Sequence, residues 1–337
     1  MNKLKKIYKK EILITGGAGY IGSAVANDLI RLGHEVTVLD NLSTGFKRLV
    51  PTKASFFQID IGNASSLNKI LKRRKFDVVM HFAAFIKVDE SVKKPAKYLK
   101  NNFEKTEIFL KCCFNHGIRN IIFSSTAAVY GNKKKKVTEK DKLSPNSPYA
   151  LSKRKCEEFI LKQFKLRKCN YIILRYFNVA GSPANLETGL VTKKSTHLVK
   201  KLCEFILGKK KLFYIYGSNY PTKDGTAIRD FIHISDLSML HILSMNYLFK
   251  KGISQVFNCG YGKEYSVLEI VKSGIRLSKR KLNFVFSDRR KGDVGYAVAD
   301  NSKIIKYLKF RPKFDNIKYI INSALKWEKK IQNKKSF

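Results

Sequence analysis

The chain has 337 residues, 44% of them hydrophobic, and a formal net charge of +41. That apolar content excludes a disordered chain, and no apolar run approaches the ~20 residues that a membrane-spanning helix needs. The lysines recur along the whole chain, in "KILKRRK", "NKKKKV" and "SKRKC", at expected helix ends and loops. They read as solvated charge in a lysine-rich composition rather than as one clustered nucleic-acid face.

Residues 11–15 ("EILIT") form a first strand that runs into "GGAGYIGSAVANDLIRLGHEV", where Ile21, Val25, Leu29 and Ile30 fall at helical spacing until Gly33. Further strands are expected at 36–40, 54–60, 76–84, 118–131 and 169–181, with helical segments between most of them. Apolar strands alternating with helices predict a Rossmann-type, doubly wound parallel sheet covered on both faces. Beyond residue 180 the rhythm weakens. A polar loop (182–196), a helix (197–207) and a capping box in "SVLE" (266–269) predict a smaller C-terminal α/β lobe. The expected division is a cofactor domain over 1–180 with a returning segment near 229–262. Residues 181–228 and 263–337 would form the substrate lobe, with a cleft between the two.

Cys112, Cys113, Cys156, Cys169, Cys203 and Cys259 show neither a C-x-x-C pair nor zinc-like spacing, so reduced thiols and no metal are expected. The opening 17 residues start basic like a signal peptide, but their apolar stretch is short and leads into glycines. A cytoplasmic protein is expected.

Gly16, Gly19 and Gly22 form G-x-x-G-x-x-G between the first strand and its helix. Such glycines allow a tight turn, close backbone approach to a pyrophosphate and close helix packing, with the anion on the helix start. Asp40 ends the second strand 18 residues past Gly22. Its carboxylate suits the two hydroxyls of an adenosine ribose and would repel a 2′-phosphate, so NAD is expected rather than NADP. Asp60, Ile61, Phe82, Ala83 and Ala84 close the third and fourth strands and should line the same crevice.

Tyr-x-x-x-Lys occurs at Tyr130/Lys134, Tyr149/Lys153 and Tyr247/Lys251, a number that chance accounts for. Context separates them. Ser124, Ser125 and Thr126 end the fifth strand, and Tyr149 follows Thr126 by 23 residues, behind Ser147 and Pro148. Proline suits a first helical turn, and positions i and i+4 share a helix face, so Lys153 should stand beside Tyr149. A neighbouring ammonium, and then a bound NAD⁺, should lower the phenol's pKa.

These features together resemble the extended short-chain dehydrogenase/reductase superfamily. The finer resemblance, over nearly the whole chain, is to UDP-glucose (UDP-galactose) 4-epimerases. It is carried by "TGGAGYIGS", "LDNLSTG", "HFAAFIKVDESVKKP", "FSSTAAVYG", "SPYALSK", "LRYFNVAG", "YPTKDGTAIRDFIHISDL" and "RRKGDVGYAVAD". The resemblance implies an isomerase that keeps NAD tightly bound, acts through a transient 4-keto sugar and forms a homodimer. It implies Tyr149 as base, with Thr126 and Lys153 assisting. It adds Tyr20, Ile21, Asn41, Ser43, Asn101 and Phe177 near the cofactor, and Asn178, Arg229, Arg290 and Asp293 for the UDP-sugar.

Departures from the pattern matter too. Ala127 and Ala128 stand where sugar-nucleotide dehydratases carry an Asp-Glu pair, and two alanines move no protons. His197 replaces a frequent asparagine, and Ile86 and Lys87 receive no role. Ala297 is small where hexose-only relatives are bulky, which leaves room for an N-acetyl group. Other NAD-dependent sugar-nucleotide enzymes of this fold (UDP-uronate or UDP-pentose 4-epimerases, dehydratases or reductases) stand as alternatives. So does a non-enzymatic NAD-binding regulator, which would need the cofactor site but no base.

Overall fold

The computed structural model describes residues 9–192, 195–278 and 283–333. The basic opening of residues 1–8 lies outside them. The first half of the chain runs β1 (Glu11–Thr15), α1 (Tyr20–Arg31), β2 (Glu35–Asp40), β3 (Ser55–Gln58), α2 (Ala64–Arg73), β4 (Val78–His81), α3 (Val88–Lys93), α4 (Pro95–Tyr98), α5 (Lys105–Asn115), β5 (Asn120–Thr126), α6 (Pro148–Arg167) and β6 (Asn170–Tyr176). Then come β7 (Asn178–Ala180), α7 (Leu198–Ile206), β8 (Phe213–Tyr216), β9 (Ile228–Arg229), β10 (Phe231–His233), α8 (Ile234–Lys251) and β11 (Gln255–Cys259). The chain closes with β12 (Tyr265–Ser266), α9 (Val267–Ser278), β13 (Phe284–Ser287), β14 (Tyr296–Ala297), α10 (Ser302–Leu308) and α11 (Ile317–Asn333).

Seven parallel strands form one sheet in the order β11-β6-β5-β4-β1-β2-β3. Alternate residues of one strand enter opposite cores. Ile12 and Ile14 pack with α1 and α8 through Val25, Leu29 and Leu240, whereas Leu13 packs with α2, α5 and α6 through Leu67, Phe109 and Ile160. Burial on both faces is what a run as apolar as "EILIT" requires. The strand order reverses between β1 and β4, which opens a crevice at their carboxyl ends.

The strands are shorter than their apolar runs. β4 stops at His81, so Phe82–Ala84 lie in the loop beyond it, and β5 stops at Thr126, followed by a 3₁₀ turn over 127–130. The run 169–181 breaks at Phe177 into β6 and β7, and β7 pairs with β10 in a separate two-stranded sheet. β11, from the returning segment, supplies the seventh strand of the large sheet. Two further small sheets, β12-β9-β14 and β13-β8, hold the C-terminal segments together. At the start of α9 both capping-box bonds form, Ser266 N–H to Glu269 Oε2 at 2.7 Å and Glu269 N–H to Ser266 Oγ at 3.0 Å.

Candidate active site

A cleft of about 1140 Å³ opens over the carboxyl ends of the sheet, with a side pocket of about 90 Å³. At its cofactor end, Gly16 has φ of +72° and a Cβ there would lie 2.6 Å from the Ala83 nitrogen. At Gly22 a Cβ would meet the Gly16 carbonyl oxygen at 2.4 Å, so α1 reaches β1 only through glycine. No side chain caps α1 at Gly19, which leaves the first-turn N–H groups of Tyr20, Ile21 and Gly22 directed at the cleft they line. This uncapped, glycine-lined cradle fits the pyrophosphate of a dinucleotide. The Tyr20 hydroxyl points elsewhere and donates to the Gly181 carbonyl at 2.6 Å.

The expected adenosine-side residues gather around the side pocket: Asp40, Asn41 and Ser43 from the end of β2, Asp60 and Ile61 after β3. Ala83 and Ala84 after β4 and Asn101, on a π-helical turn over Leu99–Glu104, complete them; Phe82 lines both cavities. Asp40 is also a brace. Its carboxylate accepts the Ala18 N–H at 3.0 Å and the Leu42 N–H at 2.8 Å; burial raises its pKa against those two bonds. Asp60 is buried enough for desolvation to oppose its charge. Even so, Lys105 at 2.6 Å, the Gly62 N–H at 2.8 Å and Asn41 at 2.9 Å hold its pKa below the usual value.

At the chemical end, Ser147 caps α6 by accepting the Ala150 N–H at 3.2 Å, and Pro148 opens its first turn, so Tyr149 projects from that turn into the cleft. Thr126 Oγ1 accepts the Ala128 N–H at 3.2 Å, which leaves its hydroxyl proton for another acceptor. Ser125 turns to the opposite face, where its hydroxyl bonds buried Glu157.

Lys153 has a partner of its own. Its ammonium donates to the Ser124 carbonyl at 2.7 Å and sits 4.9 Å from the Phe123 ring. Burial raises the pKa of the Tyr149 phenol, with the Thr126 hydroxyl the opposing influence. Burial likewise brings Lys153 down to about 8, against the pull of Cys156 and Glu157. Helical i, i+4 geometry puts both side chains on one face, and because α6 packs on β5 the lysine also reaches the strand backbone. Tyr130, of the first Tyr-x-x-x-Lys match, is a core residue. It is buried, accepts from Arg175 at 2.8 Å and donates to Asn258 at 2.7 Å.

Phe177, Asn178, Arg229, Arg290 and Asp293 line the same cleft. Arg229 donates to the carbonyls of Ile228 at 2.8 Å and Val294 at 2.7 Å, and burial lowers its pKa. Arg290 is paired with Asp293 at 2.7–2.8 Å. His197 precedes α7 and also faces the cleft, where burial and then Lys200 bring it down to about 4. Ala297 lies on β14 opposite Arg229 and presents only a methyl group.

Two features escape sequence reasoning. The Tyr216 ring has Lys201 at 5.3 Å and Arg290 at 5.2 Å, and no motif in the sequence marks it. Asp230, fully buried, accepts the N–H groups of Tyr261 at 3.0 Å, Gly262 at 2.9 Å and Ala299 at 3.2 Å, and burial lifts its pKa to about 6. It anchors the segment that carries Arg229. Its adjacency to Arg229 in "IRDF" was the available signal. Among the described residues no cluster of His, Cys, Asp and Glu could hold a metal, and no helix is long and apolar enough to cross a membrane. All six cysteines are free and buried.

The sequence pattern of the NAD dependent epimerase/dehydratase family matches residues 12–260. A UDP-glucose 4-epimerase of Azospirillum brasilense is 39% identical over 322 residues, 95% of this chain and 92% of that one. The crystal structure of a UDP-glucose 4-epimerase from Bifidobacterium longum in complex with NAD⁺ and UDP superposes with a TM-score of 0.91 at 30% identity, over 96% of this chain and 99% of that one. The UDP-Glc/GlcNAc 4-epimerase of Campylobacter jejuni superposes with a TM-score of 0.83 at 39% identity, over 95% and 99%.

Proposed function

The chain belongs to the NAD dependent epimerase/dehydratase family, and from that premise we propose that it interconverts UDP-glucose and UDP-galactose at C4 of the sugar. It is an NAD-dependent isomerase. The observation that carries the reading is that Tyr149 and Thr126 share one cleft with an uncapped glycine cradle and with Arg229 and Arg290.

Gly16, Gly19, the first-turn N–H groups of α1 and Asp40 would hold NAD, with Asp60 and Asn101 walling the adenosine side. When bound, NAD supplies a hydride acceptor and donor for C4. Tyr149 takes the proton of the 4-hydroxyl while Thr126 donates a hydrogen bond to that oxygen. Arg229 and Arg290 grip the diphosphate as charge-assisted donors, so the 4-keto sugar can turn about its link to the diphosphate without leaving. Tyr149 then returns the proton on the other face. Because the phenol's pKa is raised in the chain alone, its conversion to a base relies on the cofactor's positive charge together with Lys153. Ala127 and Ala128 line the cleft without an acid or base, which supports epimerisation over dehydration.

Ala297, and the likeness to the Campylobacter jejuni enzyme, support acceptance of UDP-GlcNAc and UDP-GalNAc as well. A homodimer, which the resemblance implies, and a cytoplasmic location, compatible with six unpaired thiols, complete the reading. Purified protein given UDP-galactose without added NAD should form UDP-glucose. No conversion, even with NAD supplied, would sink the reading. UDP-GlcNAc tested in parallel decides the wider specificity: failure both to turn over and to compete would remove it alone.

A further inference from the structure

We infer that α11 latches a strap, residues 181–192, over the cofactor end of the cleft, and that Trp327 is the positioning residue that keeps NAD from leaving. The inference rests on NAD occupying that cleft.

The strap is fastened at both edges. Toward α1, the Tyr20 hydroxyl holds the Gly181 carbonyl at 2.6 Å, Ser23 and Thr188 bond through their hydroxyls, and Arg31 pairs with Glu187. Ser182 Oγ donates to the Thr188 carbonyl at 2.6 Å and folds the strap on itself. Toward α11, the indole N–H of Trp327 donates to the Leu190 carbonyl at 3.3 Å and Lys330 donates to the Leu186 carbonyl. The strap's backbone lies flat on the indole at Gly189, where a Cβ would come within 2.4–2.5 Å of the ring.

An apolar cluster separate from the main cores joins these parts. Trp327, 3% exposed, and Ile331 of α11 pack with Leu49 and with Phe46, Leu186 and Val191. Phe46 and Leu49 belong to the loop that follows Asp40, beside the ribose site. One indole therefore ties the strap, the ribose-side loop and the C-terminal helix together. Leu190, Val191, Phe46 and Leu49 all line the cleft, and the Phe46 N–H donates to the Ala18 carbonyl within the glycine turn at 2.9 Å. Trp327 is the chain's only tryptophan and lies outside residues 12–260, the span the family pattern matches. An epimerase returns its cofactor to the starting oxidation state each cycle, so it gains nothing from cofactor exchange and benefits from a closed strap.

The test measures NAD release from purified holoenzyme, by dilution and chromatographic quantification of bound nucleotide over time. It compares wild type with Trp327→Ala, Trp327→Phe and Gly189→Ala, with thermal melting as the check on folding. Gly189→Ala and Trp327→Ala should release NAD at least tenfold faster, with Trp327→Phe between them and wild type. Folded variants that release NAD within twofold of the wild-type rate would overturn the latch. If Trp327→Ala does not fold, Gly189→Ala, which removes no core atom, decides alone. A wild type that carries no NAD overturns the functional reading beneath it as well, whereas NAD-loaded variants with unchanged release overturn only the strap.

Discussion

The two ends of the cleft are built differently. The cofactor end rests on backbone and on near neighbours in the chain: β1, its glycine turn, α1 and the end of β2 lie within residues 11–40. Its carboxylates are already braced, Asp40 by two N–H groups and Asp60 by a lysine, an amide and an N–H. The end proposed for the sugar is lined by Tyr149, Asn178, Arg229 and Arg290, which four separate elements or loops bring together. Its cations are held on internal partners, Arg290 on Asp293, Arg229 on two carbonyls and Lys153 on another. A preformed frame lowers the ordering cost of a ligand that stays. Cations with stand-in partners keep a site satisfied while a second, anionic ligand comes and goes.

The sharpest way to break this contrast is Tyr149→Phe. It should lower turnover of UDP-galactose on the order of 10³-fold, the scale of lost proton transfer, while bound NAD, read from the absorbance of the released nucleotide, stays at the wild-type level. Loss of NAD as well would mean that the two ends are not separable. Lys153→Met should slow turnover near pH 7 by about 10- to 100-fold, as expected for a charge that shifts a neighbouring pKa by one to two units. Lys153 is charged below about 8, so the gap between wild type and variant should narrow as pH rises past that value. A gap that stays constant across the pH–rate profile would assign Lys153 to positioning alone.

The smallest effect concerns the frame beneath both ends. Burial depresses His81 to about 3 and His233 and His241 to about 4. Their unfolded value is about 6.5, so the folded state binds fewer protons and loses stability in acid. The loss is absent above about pH 6.5, sets in as pH falls below that unfolded value and is complete once pH reaches the folded values. The melting temperature should fall by several degrees between pH 7 and 5. A flat profile over that interval would mean that these rings accept protons in place.

How far the sequence could be read follows the same division. The glycine cradle, Asp40, the capping box at Ser266 and the helix start at Pro148 were all legible, because each is a contact among residues a few positions apart. The breaks within 118–131 and 169–181 were not, since apolar residues continue past the point where the neighbouring strand ends. Tyr216 belongs to no motif and Tyr130 heads a Tyr-x-x-x-Lys match as Tyr149 does, and only their three-dimensional neighbours separate the cleft wall from the core.

By itself, the sequence determined the strand–helix alternation, the glycine turn that demands close backbone approach, and which of three Tyr-x-x-x-Lys pairs opens a helix. Periodicity and local sterics act over a turn or two of chain, so they are written in adjacent residues. Tertiary structure alone decided that Lys153 bonds the Ser124 carbonyl, that Arg290 rests on Asp293, and that Trp327 meets Gly189 from 138 positions away. Those outcomes depend on which partner a long side chain reaches first when separate elements pack, and no spacing along the chain encodes that choice.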